Sequence, residues 1–188
     1  MSWRVYAASG DYPVGFCTPR VLPIRWGGAM FDHVTIWASD IEASRRFYNT
    51  VLAPLRLPVG SDRDFRLVRA EETASATSGL HVGFVTRSRD EVDAFWRSGV
   101  DAGYQSDVEP GPRPQYAEDY YGGFLLDPDG NSAEAVNFEP LRAPGSVIDH
   151  LWIRVADLAE PRRFWDTEGP TVGLAVYGER PERVGAVA

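Results

Sequence analysis

Three histidines occur in the 188 residues, and each stands near the start of a stretch that alternates as a strand does: His33 in 31–38, His81 in 80–85 and His150 in 148–157. One carboxylate, Glu134, stands on a further strand-like stretch, 132–138, among apolar and small residues. Imidazole and carboxylate are the side chains that bind divalent ions or move protons near neutral pH. Each also has a plainer use. A lone strand histidine serves as a hydrogen-bonded structural residue, and a half-buried glutamate needs only a partner.

The elements that must position these groups form a repeat. In 31–38, Val34, Ile36 and Ala38 fall on one face, with His33, Thr35 and Trp37 on the other. Ser39-Asp-Ile-Glu42 reads as a capping box, with Ser39 as N-cap. The helix after it carries Ser44, Phe47, Tyr48, Val51 and Leu55 on one side, and Pro54 helps end it. One or two short strands follow, around 57–59 and 65–68, and 70–79 reads as a loop.

The pattern then restarts. In 80–85, Val82 and Phe84 oppose His81, Gly83 and Val85. Ser88-Arg-Asp-Glu91 is a second capping box. Its helix places Val92, Phe95, Trp96 and Val100 on one face, and Gly103 closes it. A proline-rich loop with Pro110, Pro112 and Pro114 crosses to a strand over 120–126. Asp127-Pro-Asp-Gly-Asn131 is a turn leading to the last strand.

A third copy starts at residue 148. Ile148-Asp-His150-Leu-Trp-Ile aligns with Phe31-Asp-His33-Val-Thr-Ile at an offset of 117, and Arg162-Arg163-Phe164 aligns with Arg45-Arg46-Phe47. Pro161 falls in the first turn of this third helix. Two strands are expected over 173–177 and 183–187. The copy lacks its final strand or strands, so the expectation is either a truncated coding sequence or a half-unit whose open edge pairs with another chain.

Bulk composition narrows the field. The net charge of −8 gives nothing to attract phosphate, which disfavours nucleic-acid and anionic-membrane partners. No apolar run approaches the ~18 residues that signal a transmembrane helix. No signal peptide is evident, and the single cysteine, Cys17, lies outside the repeats as an incidental thiol. A cytoplasmic location is expected. All 19 basic residues are arginine, which removes lysine Schiff-base chemistry and any P-loop. Residues 1–29 are rich in Gly and Pro, and Met30 just precedes the first clear strand. They are either an N-terminal arm or a segment upstream of a domain that begins at Met30.

Paired βαβββ units with a histidine on each first strand and a glutamate on the last resemble the vicinal oxygen chelate superfamily of glyoxalases, extradiol dioxygenases and bleomycin-resistance proteins. His81-Val-Gly-Phe, Arg-Asp-Glu-Val-Asp-Ala-Phe, and Tyr-Tyr-Gly-Gly-Phe-Leu-Leu-Asp-Pro-Asp-Gly-Asn followed by Glu134 carry the likeness. The resemblance implies an α+β, glyoxalase-like fold in which paired units form a half-barrel cleft. The expected division is an extension over 1–29, a glyoxalase-like domain over 30–140 made of units 30–78 and 79–140, a linker over 141–147, and the truncated start of a second glyoxalase-like domain over 148–188.

It also implies that His33, His81 and Glu134 converge on one divalent ion, Fe, Mn or Zn. Two imidazoles and one carboxylate leave coordination positions open. A small molecule with two neighbouring oxygens can fill them, as in a lyase or a ring-cleaving dioxygenase. His150 is then the first ligand of an incomplete second site, or a relic. Tyr120 and Tyr121 are candidate catalytic residues that position a substrate oxygen or donate a proton, or else they pack the strand. Trp37, Arg113 and Tyr116 are candidate substrate contacts. The first unit has no carboxylate at the late position that four-ligand glyoxalases use, and no spare histidine between 82 and 149 serves as a dioxygenase acid–base group. The alternative is a metal-free small-molecule binder of the bleomycin-resistance kind. The expected partner is a second copy of the chain, as a homodimer.

Overall fold

The computed structural model describes residues 2–7, 33–57, 65–72, 74–138, 147–173, 175–180 and 183–187. The chain order is β1 (Ser2–Ala7), β2 (Val34–Ala38), α1 (Ile41–Leu52), β3 (Phe65–Arg69), β4 (Leu80–Val85), α2 (Arg89–Asp101), β5 (Ser106–Pro112), β6 (Tyr121–Leu126), β7 (Ser132–Asn137), β8 (Ile148–Val155), α3 (Ala159–Glu168), β9 (Ala175–Arg180) and β10 (Arg183–Val187). The expected strand around 57–59 and the 141–147 linker fall largely outside the described residues.

Eight strands form one sheet in the order β5-β6-β7-β4-β8-β1-β10-β9, while β2 and β3 form a separate parallel pair. The large sheet is two equivalent halves back to back. In one half, β4 pairs in parallel with β7, β7 antiparallel with β6, and β6 antiparallel with β5. In the other, β8 pairs in parallel with β1, β1 antiparallel with β10, and β10 antiparallel with β9. The halves join where β4 and β8 run antiparallel.

This arrangement revises two expectations. The third unit does not present an open edge where its last strand is missing, because β1 from the other end of the chain fills that place. Residues 2–7, which showed no clear periodicity, therefore form a strand. The proline-rich crossing also begins as a strand, β5, although it contains Pro110 and Pro112. It is an edge strand with two register shifts, the setting in which proline is tolerated.

The helices are built as their sequences suggest, with one shift. Ser88 caps α2 by accepting from the Glu91 N–H. Gly103 follows in the left-handed region at φ 86°, which glycine enters without a Cβ clash. The cap of α1 is Asp40, not Ser39: its carboxylate accepts from the N–H groups of Glu42 and Ala43. Ser39 is engaged elsewhere, donating from its backbone and hydroxyl to Asp129.

One apolar core joins both sheets. Phe47, Tyr48, Val51 and Leu52 of α1 pack with Ile36 of β2, Phe65 of β3, Val82 and Phe84 of β4, and Val92 and Phe95 of α2. A Cβ on Gly99 would meet Leu125 and Val51, so this glycine lets α2 approach both β6 and α1. By contrast, α3 buries none of its residues. Phe164 is 54% exposed, although its repeat counterpart Phe47 is fully buried. Among the described residues, no helix is long and apolar enough to cross a membrane.

The turn between β6 and β7 fastens the first unit to the large sheet. Buried Asp127 accepts from the Tyr48 hydroxyl at 2.9 Å, from the N–H of Asn131 at 2.8 Å, and from the N–H of Asp129 at 2.9 Å. Burial raises the Asp127 carboxyl above its usual range, and these donors pull it back. Burial and the neighbouring Asp127 charge push the Tyr48 phenol well up, so it stays a donor. Replacing Asp127 with Ala strands several buried donors at once. It should lower unfolding free energy by about 2–4 kcal/mol in a urea titration, against about 1 kcal/mol for Tyr48→Phe.

Candidate metal centre

The junction of the two half-sheets carries the polar cluster. Antiparallel pairing sets Gly83 opposite His150, and His81 opposite Trp152. Parallel pairing of β4 with β7 sets His81 beside Ser132, and Gly83 beside Glu134. Three side chains from three adjacent strands therefore meet above one glycine. His81 Nε2 lies 2.9 Å from Glu134 Oε2, His150 Nε2 lies 3.2 Å from the same oxygen, and the two Nε2 atoms are 3.1 Å apart. The imidazole rings stack at 5.1 Å with a 20° tilt.

Small residues make the room. A Cβ on Gly83 would come within 2.5 Å of the His150 ring, and one on Gly122 would collide with the Glu134 carboxylate. A Gly two places after the histidine occurs only in the second unit. The first has Thr35 there and the third has Trp152.

Each ligand-type group is held by a neighbour. The Tyr120 hydroxyl donates to Glu134 Oε1 at 2.7 Å, leaving Oε2 for the histidines. Ser132 donates to Asp107 at 2.8 Å, so its oxygen is left to accept from His81 Nδ1 at 3.1 Å. That fixes the proton of His81 on Nδ1 and turns the lone pair of Nε2 inward. His150 Nδ1 faces Asp149 Oδ2 at 2.8 Å. Aromatic rings close the surroundings. Trp152 lies 4.8 Å from His81 and 5.3 Å from His150, Phe124 lies 5.7 Å from His81, and Tyr116 contacts both Trp152 and Tyr120.

The cluster is electrostatically coupled. Burial alone would raise Glu134, but hydrogen bonds and charge from His150 and His81 bring it from 4.5 to about 2. Burial opposes a charge on His150, yet Asp149 and Glu134 together raise it from 6.5 to about 9. Burial dominates at His81 and lowers it, with the His150 charge adding to the effect. One proton, on His150, thus serves three converging atoms. Burial and the Glu134 charge push the Tyr120 phenol well above its usual value, so it remains a donor.

Of the sequence candidates, the structure brings together His81, Glu134 and Tyr120, with Tyr116 on the aromatic rim. His33 is not in the cluster. It is exposed at the start of β2, and β2 belongs to the two-stranded sheet. His150, assigned from sequence only to an incomplete site or a relic, occupies the third position, because β8 and not β2 pairs with β4. Trp37 also stays on β2, its backbone bonded to Thr77. Tyr121, the first residue of β6, follows Tyr120 and faces the other way. Its hydroxyl donates to Asp93 of α2 at 2.9 Å, and Arg89 lies over its ring. The Arg113 guanidinium donates to the carbonyls of Pro112 and Glu109 and sits 5.8 Å from the Phe124 ring, which is itself 5.7 Å from the His81 ring. Sequence reasoning passed over Asp149, Ser132, Asp107 and Trp152. The offset of 117 was the signal for His150, since it puts that residue in the place of His33.

Paired four-stranded half-sheets, meeting at first strands that carry histidine and backed by a terminal-strand glutamate, define a glyoxalase-type fold with a candidate metal site. The chain belongs to the Glyoxalase/Bleomycin resistance protein/Dioxygenase superfamily, whose family model matches residues 30–135. That span contains His33, His81 and Glu134 and ends before His150. A glyoxalase/bleomycin resistance protein from Albidiferax ferrireducens T118 is 29% identical, with a TM-score of 0.50, over 57% of this chain and 98% of its own. A V278E mutant of glyoxalase I from Zea mays is 17% identical, with a TM-score of 0.50, over 80% of this chain and 58% of its own, a likeness of fold. No curated protein matches the chain.

The paired shifts set a pH signature for the metal-free protein. Glu134 is depressed, so its contribution is present above pH 4.5 and is lost as pH falls toward about 2. His150 is raised, so its contribution is complete below pH 6.5 and is lost as pH climbs through about 9. Unfolding free energy measured in chelator should therefore fall between pH 6.5 and 9, and His150→Asn should flatten that alkaline limb.

Proposed function

We propose that the protein is a metal-dependent enzyme that binds one divalent ion, Fe, Mn or Zn, through His81, Glu134 and His150. The observation that carries this reading is the set of three facing atoms separated by 2.9, 3.1 and 3.2 Å. With the His81 proton held on Nδ1, His81 Nε2 and Glu134 Oε2 are both acceptors, a pair that either the His150 proton or a metal cation would satisfy. Ligand atoms in adjacent positions around an ion, each about 2.0–2.2 Å from it, are about 3 Å apart. The donor set fits a divalent first-row metal, and His81, Glu134 and His150 would hold it.

When bound, the ion would act as a Lewis acid on a substrate that offers two neighbouring oxygens. The chain's own residues supply the rest. Tyr120 keeps Glu134 turned so that one oxygen remains free. Trp152, Phe124 and Tyr116 give the site an apolar rim, which excludes water and strengthens polar interactions within it. The reading covers a lyase-type or a ring-cleaving reaction on a small molecule. It is joined by the proposals of a homodimer and a cytoplasmic location.

Metal analysis of protein purified without chelator should find one divalent ion per chain. Glu134→Gln and His81→Ala should each weaken that binding by at least 10-fold. Because the family match includes His33 and the cluster includes His150, these two must be separated. His150→Ala should lose the metal, and His33→Ala should keep it. Ligand affinity unchanged by chelator in a metal-free preparation would favour the binding-protein reading instead.

Crowding at the junction gives a second check that leaves every ligand in place. Gly83→Ala drives a methyl group into the His150 ring. It should lower metal affinity by at least 10-fold while circular dichroism remains unchanged. Native affinity in this variant would show that His150 does not lie across β4.

A further inference from the structure

We propose that Asp149 is a positioning residue for the metal centre, placed by a β-bulge so that it orients the His150 imidazole. The inference rests on His150 being a metal ligand. Its starting point is a geometric oddity. Neighbouring residues on a regular strand point to opposite faces, so Asp149 and His150 should diverge. Instead, Asp149 Oδ2 lies 2.8 Å from His150 Nδ1.

The pairing of β8 with β4 explains how. Gly83 pairs with His150 and Phe84 pairs with Ile148, so Asp149 is the extra residue between two successive pairs. A bulge of this kind bends the strand and re-aims a side chain. The displaced carboxylate is 3% exposed, in a place where an unpartnered charge would be costly. Its acceptance of the Nδ1 proton answers that cost. It also leaves Nε2 as the only ring nitrogen that can face Glu134 and His81.

His81 solves the same problem differently. It follows Leu80, an ordinary paired residue, so no carboxylate is available from its own strand. Its Nδ1 partner comes from the next strand, where Ser132 is backed in turn by Asp107. One imidazole is thus supported by a buried carboxylate directly and the other by a hydroxyl. Asp149 sets the tautomer, the ring angle and the basicity of His150, the three properties that such an outer partner controls in a ligating histidine.

The test compares Asp149→Ala with Asp149→Asn in two measurements. The first is the slowly exchanging Nδ1 proton resonance of His150, recorded by nitrogen-edited NMR on metal-free protein below pH 6.5. It should be present in the native chain, lost in Asp149→Ala and retained in Asp149→Asn, because the amide oxygen can still accept. The second is zinc affinity by chelator competition. It should fall about 10- to 100-fold in Asp149→Ala, the usual effect of removing an outer partner, with most of the loss restored in Asp149→Asn. Native zinc affinity in Asp149→Ala overturns the proposal. So does a retained resonance in that variant, or an Asn variant as impaired as Ala in both measurements. A native chain that shows the Asp149-dependent resonance but takes up no metal would instead defeat the metal-centre reading and leave the orienting contact standing.

Discussion

The antiparallel pairing of β4 with β8 is the constraint on which the rest depends. It does more than join two half-sheets. By setting Gly83 against His150, it lays an imidazole across the one place on β4 where no side chain stands. By setting His81 against Trp152, it supplies that histidine with an aromatic neighbour. A shift of one residue would turn His150 to the other face of the sheet and dissolve the cluster. The bulge at Asp149 reinforces the register, because sliding the strand would move a buried carboxylate away from its partner.

Much of this was legible in the sequence. Alternation marked β2, β4 and β7, and the expected face of α1 is buried. On α2, Val92 and Phe95 are buried as expected, but Trp96 is half-buried and Val100 is exposed, with Gly99 buried against Leu125 instead. His81 and Glu134 were visible because each is the odd polar residue on an otherwise strand-like stretch. What was not legible is which first strand stands beside β4. The stretches around His33 and His150 have the same pattern, and local propensity cannot choose between them. The choice is made by long-range pairing. Likewise, nothing in Ser2–Ala7 announces a partner almost the whole length of the chain away. The α1 cap moved by one residue for a related reason: Ser39 is taken by Asp129, a residue ninety positions distant.

The protonation of the cluster follows from the same geometry. Two imidazoles and a carboxylate at about 3 Å cannot all present lone pairs to each other in a buried place without a proton or a metal cation among them. Without metal, that role falls to the proton of His150, which lies between Glu134 and Asp149. A divalent ion would displace it and satisfy all three atoms at once. Metal binding and proton release would therefore be one event here. The protonated state stabilises the fold, and its replacement would serve the chemistry.

The two halves of the sheet are equivalent in order but not in content. In the half built on β4, the residue in register with Gly83, two places after His81, is Glu134. In the half built on β8, the residue two places after His150 is Trp152, so the room that Gly83 gives the His150 ring has no counterpart there. Each half contributes one histidine to the cluster, and the half built on β4 contributes the carboxylate. On the proposed reading, three ligands from neighbouring strands would lie to one side of an ion and leave its other positions for a substrate.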